Sequence, residues 1–297
     1  MTGFFHGTAT AMITPFVGDK IDFEAFGRMI EYQIQGGTDV LVVLGTTGEP
    51  ATMTEEEKEE AMRFAIEKTA KRAKIVFGSG ANSTKKAVEA SKKAEAFGAD
   101  GLLVVTPYYN KCTQNGIYEY YKAINDAVSI PIIAYNVPAR TGVNILPATA
   151  ERLATLPHLA GIKEACGNME QICETMRRIR GKMDLYSGDD NLNLPILAIG
   201  GEGLISVVSN LLPRDVKEMF TLVKAGKLSE ANALQDRLLP VIDACFTEVN
   251  PIPVKYGCEA LGLGGGIPRG PLTELEDAHK KVMDDALSAF GAKKVNA

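Results

Sequence analysis

Lys163 is the residue on which the reading of this chain turns. It stands in Gly161-Ile162-Lys163-Glu164-Ala165-Cys166-Gly167-Asn168, after the apolar run 156–162 and before a helical pattern that starts near Met169. That places it near the C-terminal end of a short strand. An ordinary lysine there is a solvated charge. Held in a dry pocket, the same amine can attack a carbonyl carbon and form a Schiff base. The amine must be neutral to attack, and a free lysine with a pKa of ~10.4 is neutral in only roughly one molecule in 2,500 at pH 7. Two neighbours compete for the role of reactive group. Glu164 points the opposite way along a strand, which suits a structural partner rather than a base. Cys166 has no histidine close in sequence to take its proton, which disfavours a thiol nucleophile.

The elements that must position Lys163 alternate along the chain. Strand-like runs fall at 8–14, 40–44, 74–78, 101–105, 132–136, 159–163, 184–187 and 203–208. Helical patterns follow at 23–35, from Thr54, at 83–97, 117–128 and 147–156, from Met169 and from Pro213. Thr54 and Glu57 have the spacing of a capping box. Pro147 and Pro213 suit a first helical turn, where the missing N–H is no loss. Short continuous apolar strands are those of a parallel sheet buried on both faces. Eight strands, each but the seventh followed by a helical pattern, predict an α/β fold of the (β/α)8 barrel type over residues 1–225. Residues 226–297 predict a C-terminal helical domain, with helices at 228–246, 251–261 and 273–290. No GxGxxG turn follows the first strand, which argues against a dinucleotide fold. Gly264-Gly265-Gly266 lies between helical runs and reads as a flexible connection.

In such a barrel the site lies at the C-terminal ends of the strands. Closure would gather Gly45-Thr46-Thr47-Gly48-Glu49, Tyr108-Tyr109, Tyr135 with Arg140, Lys163, Gly188 in Ser187-Gly188-Asp189-Asp190, and Ile205-Ser206 on one rim. Each has a plain alternative. Gly-Thr-Thr-Gly can be a turn whose hydroxyls bond their own backbone. Paired tyrosines can be packing, Arg140 a surface charge, and Ser-Gly-Asp-Asp a helix cap.

Bulk properties narrow the field. The chain has 297 residues, 45% hydrophobic and 23% charged, enough for a large core. A net charge of -5 with no basic block argues against nucleic acid as a partner. No apolar run approaches the roughly 18 residues that span a membrane, and the first residues lack a secretory pattern. Five scattered cysteines and three separated histidines, His6, His158 and His279, suggest neither a disulfide framework nor a metal cluster. The expectation is a cytoplasmic, reduced, metal-free protein.

Three stretches together resemble a known family. Gly45-Thr46-Thr47-Gly48-Glu49, Tyr135-Asn136-Val137-Pro138-Ala139-Arg140-Thr141-Gly142 and Gly161-Ile162-Lys163-Glu164-Ala165 are similar to motifs of the dihydrodipicolinate (4-hydroxy-tetrahydrodipicolinate) synthases. The likeness runs from Thr10 to Lys255. It implies a lyase that condenses pyruvate with L-aspartate 4-semialdehyde in lysine (diaminopimelate) biosynthesis. The pyruvate imine would form on Lys163, with no other cofactor. Tyr135 would be the proton shuttle, Thr46 its hydrogen-bond partner, and Tyr109 the link to solvent from a neighbouring subunit. Thr47, with the amides of Thr46 and Thr47, would hold the pyruvate carboxylate. Arg140 would grip the semialdehyde carboxylate, and the carbonyls of Gly188 and Ile205 would line the pocket. A homo-oligomer is implied, either a dimer or a tetramer built as a dimer of dimers. N-acetylneuraminate lyase and keto-deoxy sugar aldolases share the lysine and the first tyrosine, so a sugar-acid aldolase is the nearest alternative; Thr47 and Arg140 favour the synthase. A catalytically idle barrel that binds a small carboxylate is the alternative from another class.

One departure concerns feedback by lysine. Asn82 and Tyr108 match the family's lysine site, but Lys86 stands where a glutamate should receive the ligand's ammonium group. Glu55 and Lys58 replace histidines expected near the second helix. Weak or absent inhibition by lysine is the expectation.

Overall fold

A computed structural model describes residues 3–295. Eight short strands carry it: β1 Gly7–Ala11, β2 Val40–Val43, β3 Lys74–Gly78, β4 Gly101–Val105, β5 Ile132–Asn136, β6 Leu159–Glu164, β7 Asp184–Ser187 and β8 Gly203–Ser206. Their order is β1, β8, β7, β6, β5, β4, β3, β2, and the sheet closes on itself. Neighbouring strands from β3 to β8 run parallel, as do β1 and β2. This is the expected (β/α)8 barrel. The strands are buried almost throughout, which is why their sequences are apolar runs rather than alternations.

The connecting helices are α1 Phe23–Gln35, α2 Glu55–Thr69, α3 Thr84–Ala96, α4 Gln114–Asn125, α5 Pro147–Leu153, α6 Met169–Ile179, α7 Asn193–Ala198 and α8 Pro213–Lys224. Three more follow: α9 Leu228–Ala244, α10 Ile252–Ala260 and α11 Asp277–Phe290. The capping box at α2 forms as its spacing predicts, with Glu57 N donating to Thr54 Oγ1 and Thr54 N to Glu57 Oε2.

Where boundaries differ from expectation, local side chains explain it. Helix α4 starts three residues before the predicted 117, because Thr113 caps it by accepting from Gly116 N. Strand β8 ends at Ser206 rather than 208. Asn210 draws the chain aside there, donating to the carbonyls of Ala11 and Val207 and accepting from Ile13 N. Strand β1 stops at Ala11, short of 14. Strand β6 runs one residue further than expected, to Glu164.

By internal packing the chain falls into two compact units. Among the described residues, one comprises Lys74–Ile205 with residues 3–7; the other comprises Thr8–Ala73 and residues 206–295. In the first, Asp184 accepts from the amides of Gly3 and Phe4, and Tyr186 stacks on Phe5 with ring centroids 4.2 Å apart. In the second, α9 packs on α8 and α11, and α11 packs on α10. No described helix is long and apolar enough to cross a membrane.

Candidate active site

Strand register sets the first contacts. A register shift at Ile132/Ile133 places Tyr135 opposite Lys163 and Asn136 opposite Glu164 across β5 and β6. Alternation along β6 then sends Lys163 and Glu164 to opposite faces. Lys163 is only 4% exposed, and its Nζ lies 4.3 Å from the centroid of the Tyr135 ring. Burial draws the Lys163 ammonium down to about 8, with Asp190 opposing and Arg140 assisting. The cause is the loss of water around a charge, which favours the neutral amine. Burial likewise pushes the Tyr135 phenol up to about 12, with Arg140 working against the rise and Asp189 adding to it. Near neutral pH this pair is therefore a partly neutral amine beside a protonated phenol.

Gly188 makes room for the lysine stem. A Cβ built there would lie 2.7 Å from Lys163 Cε and 2.9 Å from its Cγ. Its amide donates to the Glu164 carbonyl at 2.8 Å, so β7 is pinned to β6 where the stem passes.

The other face of β6 is structural, as expected of Glu164. Glu164 Oε1 accepts from Asn136 Nδ2 at 2.8 Å and from Cys166 N at 3.1 Å. Asn136 also donates to Asn144, which exchanges hydrogen bonds with Gln171 of α6. Burial pushes the Glu164 carboxyl up to about 7, against the pull of its hydrogen bonds to Cys166 and Asn136. The Cys166 thiol is raised to about 12 by burial and by Glu164, the opposite of what a thiolate nucleophile needs.

The remaining predicted residues of this unit differ in exposure. Arg140 is exposed on the single helical turn Pro138–Thr141, close enough to influence both Lys163 and Tyr135 electrostatically. Tyr109 is 91% exposed and holds a left-handed φ of 70°. Ile205 is buried within β8. The Ser-Gly-Asp-Asp segment divides its work. Asp189 caps the following turn by accepting from Asn191 N, while Asp190 is buried and accepts from Asn193 Nδ2. Asp190 thus acts on Lys163 as a buried charge, a role the capping reading missed.

Thr46 and Thr47 belong to the other unit, in the 3-10 turn Thr46–Gly48 after β2. The turn is anchored by side chains remote in sequence, so the self-bonded turn was too local a reading. Thr14 Oγ1 donates to the Gly48 carbonyl at 2.7 Å, and Asn250 Nδ2 donates to Thr47 Oγ1 at 2.9 Å. Glu49, in a left-handed conformation at φ 56°, accepts from Lys255 Nζ at 2.6 Å. Asn250 and Lys255 carry no local signal of this duty; only a buried charge pair seen in three dimensions reveals it. Gly264-Gly265-Gly266 is a close crossing rather than a flexible connection. A Cβ at Gly265 would lie 1.9 Å from the Lys255 carbonyl, and one at Gly266 2.2 Å from that of Phe16.

The expectation that no histidine joins a ligand-like cluster needs correction at His279. Its Nδ1 lies 2.7 Å from Glu248 Oε1, and ligand atoms of Glu248, Glu276 and His279 lie within 4.8 Å of one another. Glu248 Oε1 also accepts from Glu276 N, so these groups clasp the start of α11.

Comparison with known proteins identifies the family and the fold. Residues 4–290 match the Dihydrodipicolinate synthetase family. A 4-hydroxy-tetrahydrodipicolinate synthase of Caldicellulosiruptor bescii is 48% identical over 288 residues, 97% of each chain. The crystal structure of dihydrodipicolinate synthase from Aquifex aeolicus is 41% identical with a TM-score of 0.95, covering 98% of this chain and 100% of that one. A chloride-inhibited dihydrodipicolinate synthase from Acinetobacter baumannii, complexed with pyruvate, is 39% identical with a TM-score of 0.93, covering 97% and 99%.

Proposed function

The chain belongs to the dihydrodipicolinate synthetase family, and we propose that it performs its condensation through a pyruvate imine on Lys163. It is a lyase that joins pyruvate to L-aspartate 4-semialdehyde, giving 4-hydroxy-tetrahydrodipicolinate in lysine biosynthesis. The neutral Nζ attacks C2 of pyruvate, and loss of water leaves the imine. Removal of a C3 proton gives the enamine, whose C3 bonds to the aldehyde carbon of the semialdehyde. The semialdehyde's own amine then attacks C2 and expels Lys163, which closes the ring and frees the enzyme.

Each remaining residue takes a role its chemistry suits. Tyr135, protonated near neutral pH, carries protons to and from the imine centre, and Thr46 and Tyr109 complete the relay. The Thr47 hydroxyl and the amides of Thr46 and Thr47 hold the pyruvate carboxylate. Arg140, a forked and permanently charged donor, holds the semialdehyde carboxylate. The carbonyls of Gly188 and Ile205 line the pocket. A relay through an exposed Tyr109 fits a homo-oligomer, dimer or tetramer, in which that residue serves a neighbouring copy. Residues 226–297 form the helical domain of this reading, the protein is cytoplasmic, and no metal or further cofactor takes part.

The observation that carries the proposal is the buried Lys163 amine, drawn down to about 8 beside the Tyr135 ring. At that value roughly one amine in ten is neutral at pH 7, about 200 times more than for a free lysine. Borohydride reduction with pyruvate, followed by peptide mass spectrometry, tests it. A stable pyruvate adduct on Lys163 is expected; an unmodified Lys163 overturns the proposal. A coupled assay with pyruvate and the semialdehyde, run beside sialic and keto-deoxy sugar acids, must show turnover with the first pair.

A further inference from the structure

A lysine and a glutamate removed from water need every hydrogen bond made, or the burial costs more than it returns. Lys255 and Glu49 meet that condition. Lys255 is 1% exposed and Glu49 5%. The Lys255 ammonium donates to Glu49 Oε1 at 2.6 Å, to the Thr14 carbonyl at 3.1 Å and to the Ile267 carbonyl at 3.5 Å. Nζ also lies 4.4 Å from the centroid of the Phe16 ring. Glu49 Oε2 accepts from the Arg269 amide at 3.0 Å. Arg269 in turn forms a two-pronged pair with Glu57 of α2. The close crossing at Gly265 and Gly266 lies against Lys255 and Phe16 and admits no side chain.

This charge pair bears on the Thr46–Gly48 turn from two sides. Glu49 is the residue that ends the turn, and Thr14, whose carbonyl Lys255 holds, grips Gly48 through its hydroxyl. Asn250, five residues before Lys255, supplies a third hold. A threonine hydroxyl carries one hydrogen. Because Thr47 Oγ1 accepts from Asn250, that hydrogen is left to point elsewhere as a donor. Oriented donors and a fixed backbone are what a small carboxylate requires for binding without reorganisation.

We propose that Asn250 and the Lys255–Glu49 pair are positioning residues for substrate binding, which preset the Thr46–Thr47 turn and aim the Thr47 hydroxyl at the carboxylate of pyruvate. This inference rests on the reading that Thr47 holds that carboxylate. The segment after the barrel thereby sets affinity for the first substrate without touching it.

The test compares Thr47→Val, Asn250→Ala and the charge-free double variant Lys255→Met/Glu49→Gln in the full-length enzyme. Active sites are counted by borohydride trapping at saturating pyruvate. For Asn250→Ala and the double variant, KM for pyruvate is expected to rise about tenfold, the equivalent of about 1.4 kcal/mol. Their kcat per trapped site and KM for the semialdehyde should stay within about threefold. A purely structural role would reduce the trapped fraction and leave both KM values unchanged, and that result overturns the inference. If the double variant does not fold, Asn250→Ala decides alone. Thr47→Val separates the two layers. If it fails to raise KM for pyruvate, the carboxylate-binding reading is lost; if it succeeds while the other variants do not, only the positioning inference is lost.

Discussion

Imine formation should follow the titration of one buried amine. Lys163 loses its water shell on folding, and its proton affinity falls to a pKa of about 8. From roughly 10.4 for a free lysine, that is about 3 kcal/mol against the charged form. The neutral fraction is then roughly one-tenth at pH 7 and nine-tenths at pH 9, so the rate should rise about tenfold and level off. A lysine of ordinary pKa would gain about a hundredfold over the same interval and still be rising at pH 10. Single-turnover trapping with saturating pyruvate, quenched by borohydride and read by mass spectrometry, follows this step without the later chemistry. The midpoint has two further handles. Asp190 raises the amine's pKa, so Asp190→Asn should move it down; Arg140 lowers it, so Arg140→Met should move it up. A unit-slope rise continuing to pH 10, or shifts of the opposite sign, would refute the reasoning.

Gly188→Ala puts a methyl group 2.7 Å from Lys163 Cε, so the reactive amine must move. Activity should fall on the order of 100-fold, as for a displacement of ~1 Å, while overpacking costs about 1–3 kcal/mol of stability; near-normal kcat would show that the stem has slack. Glu164 binds its proton more tightly folded, at about 7, than unfolded, so the native state loses stability as pH rises from the unfolded carboxylate value toward 7. Glu164→Gln, which mimics the protonated acid, should gain about 2.5 kcal/mol on the wild type between pH 5 and pH 8 in urea unfolding; a gap independent of pH contradicts this. Lys86 is exposed on the first turn of α3 and would repel a second ammonium. Lysine should therefore leave the initial rate unchanged up to millimolar concentrations, and sub-millimolar inhibition would show that other acids have rebuilt the site.

Much of the barrel was legible because its signals are local. Apolar runs five residues long, as at Gly101–Val105, and caps such as Thr54 with Glu57 depend only on near neighbours. Strand alternation put Lys163 and Glu164 on opposite faces without knowledge of the fold. The strand ends placed Thr46, Thr47, Tyr135, Arg140 and Lys163 as candidates for one rim, but the residue types alone left plain alternatives open, and the roles proposed for them rest on resemblance to the family. Tertiary structure alone decided the depression of the Lys163 pKa, because desolvation depends on what surrounds an atom from every side. It also decided the buried charge of Asp190, the space that Gly188 leaves for the lysine stem, and the hold of Asn250 and Lys255 on a turn some 200 positions earlier. Such effects fall off over a few ångströms of space and leave no periodic trace along the chain.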